Sequence, residues 1–294
     1  MEARCSQLVL GLDPDPTQLW PRAAAGAPTT GAPAARAAAA VTVQCELLID
    51  AAGPACVAVK PQLACFERLG DGGWAALATI SGYARAAGLL VLLDGKRGDV
   101  PVTASAYAQA LLGPTPTPFG ELSGLGADAF TANPLLGRDS LAPLLDGAAA
   151  SGAGVFVLVR TSNAGAADVE DATLEDGERL WERLARIVAD LGRSRTGSSG
   201  LSDVGAVTGA TEPQHLERMR ELMPHAPFLL PGVGAQGGRV EDLGPAFAPG
   251  RAGGLIATSR AIADAYKGGR GDPARAAADE AERLRELAWT LAPA

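Results

Sequence analysis

The sequence predicts a single (β/α)8 TIM barrel spanning residues 1–294. Three observations lead there. Short apolar runs recur along the chain, alanine-rich segments with helical character separate them, and the length of 294 residues suits a fold that takes about 250 residues as one unit.

The runs, in order, are Leu8–Asp13, Val57–Lys60, Leu89–Asp94, Asp128–Asn133, Val155–Thr161, Val204–Thr208, Phe228–Pro231 and Gly254–Ser259. Each is apolar through most of its length, as a parallel strand covered on both faces requires. Most end in a polar or turn-forming residue. Strands that alternate with helices imply parallel pairing through right-handed crossovers. Eight such units favour a closed barrel over an open sheet. Between the first two runs, Ala34–Ala52 is alanine-rich but interrupted by Arg36, Gln44, Glu46 and Asp50. It reads as a helix and not as a membrane span. Gly113–Gly126, with Pro114, Pro116 and Pro118, is expected to be a surface loop. Gly192–Leu201, rich in Gly and Ser, is expected to lead from a helix to the sixth strand. Neither has the length of a domain linker, and no repeat of fixed period occurs.

Composition narrows the function. Hydrophobic residues make up 47% of the chain and aromatics only 4%, so the core must be built mainly from Ala, Val and Leu. A formal net charge of -8 with no basic run argues against nucleic acid as a partner. Small anions remain as charged ligands, and any cationic pocket must be local. Cys5, Cys45, Cys56 and Cys65 form no CxxC pair, and neither His215 nor His225 lies near one in sequence. Ordinary buried thiols in a reducing compartment are expected. With no signal-peptide pattern and no membrane segment, a cytoplasmic location is expected.

Barrels of this kind build their sites at the C-terminal ends of the strands. Asp13, Lys60, Asp94 with Lys96, Ser162, Pro231-Gly-Val-Gly234 and Ser259-Arg260 all fall there. Of 25 basic residues, only Lys60, Lys96 and Lys267 are lysine, and two of these three stand at adjacent strand ends. Lysine can give up a proton where arginine does not. Lys267, near the tail, reads as an exposed charge. Asp94 and Lys96 are two apart, so strand alternation points both into the barrel mouth. Asp99 follows three residues later, and a lysine between two carboxylates stays protonated, a positioned acid. Asp94 alone also fits a satisfied strand-end residue, and Asp99 also fits a cap for the helix starting near Pro101.

Gly232-Val-Gly234-Ala-Gln236-Gly237 matches GxGxxG. A dinucleotide site would place that motif in the first βα unit, with an acidic residue about 20 positions on. Here it follows the seventh strand, where barrels build phosphate sites with the eighth. A glycine loop bearing Gln236, with Arg260 opposite, suits closure over a phosphate dianion.

Asp94-Gly-Lys96-Arg97-Gly-Asp99-Val100, with Thr103 following, resembles the Asp-x-Lys-x-x-Asp signature of the orotidine 5'-phosphate decarboxylases. The Lys-Arg-Gly-Asp form is similar to their type 2 branch. The likeness extends in order through Gly11-Leu-Asp13-Pro, Val59-Lys60-Pro-Gln62, Asn133-Pro-Leu-Leu-Gly137, Thr161-Ser-Asn163, Leu230-Pro-Gly-Val-Gly-Ala-Gln236 and Ser259-Arg260. The resemblance implies decarboxylation of orotidine 5'-monophosphate to UMP and carbon dioxide. It implies an alternating array of Lys60, Asp94, Lys96 and Asp99, with Asp99 reaching into the other subunit's site of a homodimer. Asp94 would sit against the substrate carboxylate, and Lys96 would stabilise and protonate the C6 carbanion. Asp13, Lys60 and the partner's Thr103 would hold the ribose, and Ser162 the pyrimidine edge. No metal or organic cofactor is implied, in agreement with the missing His/Cys ligand clusters. A metal-dependent sugar-phosphate lyase of the same superfamily would need further carboxylates near the second and third strand ends, where this chain has Lys60 and then Pro61-Gln62. A nucleotide-binding barrel without activity is the rival from another class. The resemblance assigns no role to Asn163 and leaves Arg97 open between a carboxylate partner and a subunit interface. His215 and His225 read as surface residues.

Overall fold

The apolar runs are realised as parallel strands in a computed structural model that describes residues 1–269 and 271–291. Residues 270 and 292–294 of the expected domain lie outside the described residues. The strands are Leu8–Leu12 (β1), Ala58–Pro61 (β2), Leu90–Arg97 (β3), Thr115–Thr117 (β4), Gly120–Leu122 (β5), Ala129–Ala132 (β6), Gly154–Arg160 (β7), Val204–Thr208 (β8), Phe228–Pro231 (β9) and Gly254–Thr258 (β10). Eight of them close a barrel in the order β1-β2-β3-β6-β7-β8-β9-β10, with β10 returning to β1. The closing register pairs Leu8 with Ile256, Val9 with Ala257 and Leu10 with Thr258. Neighbours in the barrel are thus neighbours in the chain, the TIM-barrel arrangement.

The helices are Pro21–Ala25 (α1), Pro33–Ala52 (α2), Leu63–Glu67 (α3), Asp71–Ala86 (α4), Pro101–Leu112 (α5), Arg138–Ser151 (α6), Ala166–Val169 (α7), Leu180–Gly192 (α8), Leu216–Leu222 (α9), Arg260–Ala263 (α10) and Pro273–Leu291 (α11). α2 shows why these segments are helical. Pro33 opens it at a position where its missing N–H costs nothing, and alanine has the highest helix propensity. Ala38, Val41, Cys45, Leu48, Ile49 and Ala52 recur at three- and four-residue spacing and are buried, which is the stripe that docks on the sheet.

Strand alternation divides the core into two clusters. Leu8, Leu10 and Leu12 of β1 face the helices, whereas Val9 joins Leu92, Phe156, Val207, Leu229 and Ala257 inside the barrel. With few aromatics available, Phe156 is the large filler of the lumen. It is accommodated by Gly205 on the next strand, where an added Cβ would stand 2.6 Å from the phenyl ring.

Gly113–Gly126 is not a plain loop. It holds an antiparallel hairpin that pairs Thr115 with Leu122 and Thr117 with Gly120. Positions along such a ladder alternate between hydrogen-bonded and non-bonded pairs, so Pro116 occupies one that needs no donor while Thr115 and Thr117 supply the ladder. The expectation of buried thiols holds for Cys45 and Cys56 but not for Cys5, which is exposed, or Cys65, which is half-buried; all four are free. No helix among the described residues is long and apolar enough to cross a membrane.

Candidate active site

A pocket of about 290 Å³ opens at the C-terminal end of the barrel. At its floor stands Asp94. Lys60 Nζ donates to Asp94 Oδ2 at 2.7 Å, and Lys96 Nζ donates to Asp94 Oδ1 at 2.6 Å. Thr131 Oγ1 donates to Oδ1 at 2.9 Å, and Gln62 Nε2 lies 3.4 Å from Oδ2. Side-chain exposure is 8% for both Lys60 and Asp94 and 41% for Lys96. Lys96 is therefore the open end of the array.

Burial is the largest single influence on Asp94 and pushes its carboxyl up. The two ammonium groups and their hydrogen bonds outweigh it and hold the carboxyl well below the usual carboxylate range. Burial likewise acts to lower Lys60, but the charges of Asp94 and Asp13 overcome it and raise the ammonium above the ordinary lysine value. Opposite charges stabilise each other's ionised forms, so this pair is charged throughout the neutral range.

Asp94 and Lys96 share the mouth, but simple alternation is not the reason. Leu93 pairs with Phe130 while Arg97 pairs with Ala132, so β3 takes two residues more than β6 over this stretch. Lys96 absorbs the excess in a left-handed conformation, φ 48°. Its backbone N–H leaves the ladder and donates to Thr131 Oγ1 at 2.9 Å. Gly95 stands beside it, where an added Cβ would come within 2.4 Å of Leu63 Cδ1 and force that buried side chain to shift. Bulges that re-aim a side chain are characteristic of active-site strands.

The far side of the pocket is polar. Ser162 Oγ donates to Gln236 Oε1 at 2.8 Å, linking the end of β7 to the loop after β9. Behind Ser162, Glu170 accepts from Thr161 N at 2.8 Å, and buried Arg160 forms a two-pronged pair with Asp171 at 3.1 and 2.9 Å. The loop after β9 turns through Gly232, Gly234 and Gly237, all at positive φ. Asp13 and Arg260 complete the rim. Among the described residues no carboxylate pairs with Arg260, which leaves its guanidinium available to an anion.

A model of the orotidine 5'-phosphate decarboxylase / HUMPS family matches residues 6–278. The chain belongs to this family. The orotidine 5'-phosphate decarboxylase of Rhodopirellula baltica is 43% identical over 230 residues, which cover 78% of this chain and 75% of the relative. That of Deinococcus radiodurans is 43% identical over 240 residues, 81% of each. The structure of Leishmania donovani OMP decarboxylase superposes with a TM-score of 0.72 at 32% identity, covering 97% of this chain and 95% of that one.

Within this decarboxylase-family barrel, seven of the expected site residues line one pocket: Asp13, Lys60, Asp94, Lys96, Ser162, Gln236 and Arg260. Asp99 and Thr103 do not. They sit at the start of α5, outside the pocket of their own chain, so the second carboxylate expected beside Lys96 is absent from it. Asp99 does not cap α5 either: the helix has no side-chain cap, and Asp99 Oδ1 accepts instead from Val100 N at 2.7 Å. Arg97 pairs with Glu67 and lies 5.3 Å from the Tyr107 ring centre. Lys267 is exposed, as expected, and pairs with Asp264 at 2.9 Å. His215 and His225 lie away from the pocket, the first against Trp181 and the second bonded to the Gly200 carbonyl. Thr131 and Gln62 were not anticipated. The signal was present: Gln62 stands two residues after Lys60, and Thr131 is the one hydroxyl in the run Asp128–Asn133.

Proposed function

We propose that Lys96 delivers the proton that replaces carbon dioxide at C6 when this chain decarboxylates orotidine 5'-monophosphate to UMP. The observation that carries the reading is the carboxylate of Asp94 clamped between two ammonium groups at 2.7 and 2.6 Å. Such a carboxylate cannot escape repulsion by taking up a proton near neutrality. Placed against the substrate carboxylate, it raises the energy of the ground state, and that repulsion vanishes as carbon dioxide departs. The C6–carboxylate bond breaks and its electron pair stays on C6. The Lys96 ammonium stabilises that pair and then transfers a proton from Nζ to C6. Lys60 holds Asp94 and, with Asp13, meets the ribose hydroxyls. Ser162 takes the pyrimidine edge, and Gln236 with Arg260 takes the phosphate, whose remote binding energy closes the loop over the reacting centre. The chemistry calls for no metal or organic cofactor.

The proposal extends to a homodimer. Asp99 and Thr103 flank the exposed apolar side chains of Val100 and Val102, and Leu135 and Leu136 are exposed after β6. Exposed apolar groups of this kind favour burial against a second copy. In such a dimer, Asp99 of the partner subunit would complete the array beside Lys96, and the partner's Thr103 would reach the ribose. Four free cysteines accord with a cytoplasmic location.

The test follows the absorbance of orotidine 5'-monophosphate with the purified protein and with Lys96→Ala, each in the presence of EDTA. The parent should turn over with EDTA present, and the variant should lose on the order of 10²–10⁴ or more of that rate, the range of a lost general acid, while still binding UMP. Near-parental turnover by Lys96→Ala, or complete inhibition of the parent by EDTA, contradicts the proposal.

A further inference from the structure

We infer that Thr131 is a positioning residue for the decarboxylation, setting both the backbone of Lys96 and the orientation of Asp94 through one hydroxyl. The inference rests on the reading of the array given above and adds to it the group that holds the array in shape. Thr131 lies on β6, next to β3, with its side chain turned into the pocket and 1% of the residue exposed. Its oxygen accepts from Lys96 N at 2.9 Å and donates to Asp94 Oδ1 at 2.9 Å. Asp94 Oδ1 in turn accepts from Lys96 Nζ at 2.6 Å. The four groups form a closed ring: Lys96 backbone, Thr131 hydroxyl, Asp94 carboxylate, Lys96 ammonium.

Each link has a physical reason. The two extra residues of β3 take the Lys96 N–H out of the ladder, and a backbone donor in a half-buried site needs a replacement acceptor. Lys96 also occupies the left-handed region, which is unfavourable for a residue other than glycine. Such a conformation persists only where its surroundings enforce it. The Thr131 oxygen enforces it. Because a hydroxyl has one proton, accepting from Lys96 N leaves that proton free for a second bond, and Asp94 is the acceptor it reaches. Valine has nearly the same shape but neither bond. Serine has both bonds and lacks only the methyl group.

The experiment compares Thr131→Val and Thr131→Ser with the parent in three readouts: kcat and KM for orotidine 5'-monophosphate, the Kd for UMP, and amide hydrogen exchange at Lys96. Thr131→Val should lower kcat by about 10–100-fold, the scale of lost hydrogen bonds to charged groups. KM and the UMP Kd should stay within about threefold, because neither bond touches the parts of the nucleotide that UMP retains. Exchange at Lys96 should quicken by at least about tenfold as its acceptor disappears. Thr131→Ser should stay close to the parent in all three. Thr131→Ala, which cannot overpack the site, replaces the valine variant should the latter fail to fold. Unchanged kcat in Thr131→Val overturns the inference. So does a serine variant as impaired as the valine one, since the methyl group and not the hydroxyl would then matter. If the parent itself does not turn over, the reading of the reaction fails, and exchange at Lys96 still decides the role of Thr131: no change in Thr131→Val overturns it.

Discussion

Asp94 accepts from Lys60, Lys96 and Thr131 while only 8% of its side chain reaches solvent. A buried charge so placed is stable only as long as its partners are. The pH dependence follows from the direction of each shift. The Asp94 carboxyl is lowered, so its contribution to stability is fully present above the ordinary carboxylate value of about 4 and is lost as pH falls below it toward the folded value. Lys60 is raised, so its contribution is full below the ordinary lysine value of about 10.4 and is lost as pH rises above it toward and through the still higher folded value. Across the neutral range both are constant. Asp94→Asn should therefore lose about 3 kcal/mol near pH 7, the cost of leaving Lys60 buried without its counter-charge, and the gap to the parent should narrow below about pH 4. Urea unfolding at both pH values measures it; a gap of equal size at pH 7 and pH 3 would sink the assignment. At this scale the sequence was readable where chemistry is rare. Lysine scarcity marks Lys60 and Lys96, whereas Thr131 is one threonine among many and gains its meaning only from a bulge that no periodicity reveals.

At the scale of elements, strands were legible because apolar runs are long enough to bury both faces, and their ends shift by only a residue or so. Two elements were not. The hairpin of β4 and β5 is hidden by its prolines, which normally argue against a strand and are tolerated here in an isolated two-stranded ladder. The end of β3 continues to Arg97, beyond the apolar run, because Thr131 and the renewed pairing of Arg97 with Ala132 carry it. The loop after β9 behaves as its glycines indicate. Gly234 has φ 81°, and a Cβ there would stand 2.7 Å from the Ala261 Cβ, so any side chain brings both strain and a clash with the helix that begins at Arg260. Gly234→Val should lower kcat/KM for orotidine 5'-monophosphate at least about tenfold, from strain of roughly 1–2 kcal/mol with the clash added, with the loss falling mainly on KM. Steady-state kinetics checks this, and an unaltered kcat/KM would show that the loop does not hold the phosphate.

At the scale of the whole molecule, every strand of the barrel, or the residues that directly follow it, contributes to the pocket, including Val207 of β8 and Thr131 of β6, where the sequence pointed to six strand ends. The difference is physical: charged and glycine-rich ends announce themselves, whereas an apolar wall residue looks like any other part of the core. Closure of eight strands brings together groups that lie as far apart in the chain as Asp13 and Arg260. Two of the nine anticipated site residues, Asp99 and Thr103, remain outside the pocket of their own chain, and one chain's sequence cannot show which surface meets its copy. In the proposed dimer, Lys96 of one subunit works with Asp99 of the partner subunit. Mixing inactive Asp99→Ala and Lys96→Ala subunits is the measurement that separates this arrangement from a site built within one chain. In a random two-fold dimer half the assemblies are mixed and each carries one intact site, so the mixture should regain about one quarter of the parental activity. Heterodimers formed in the expected proportion that show no activity above either variant alone would rule out a site shared between subunits.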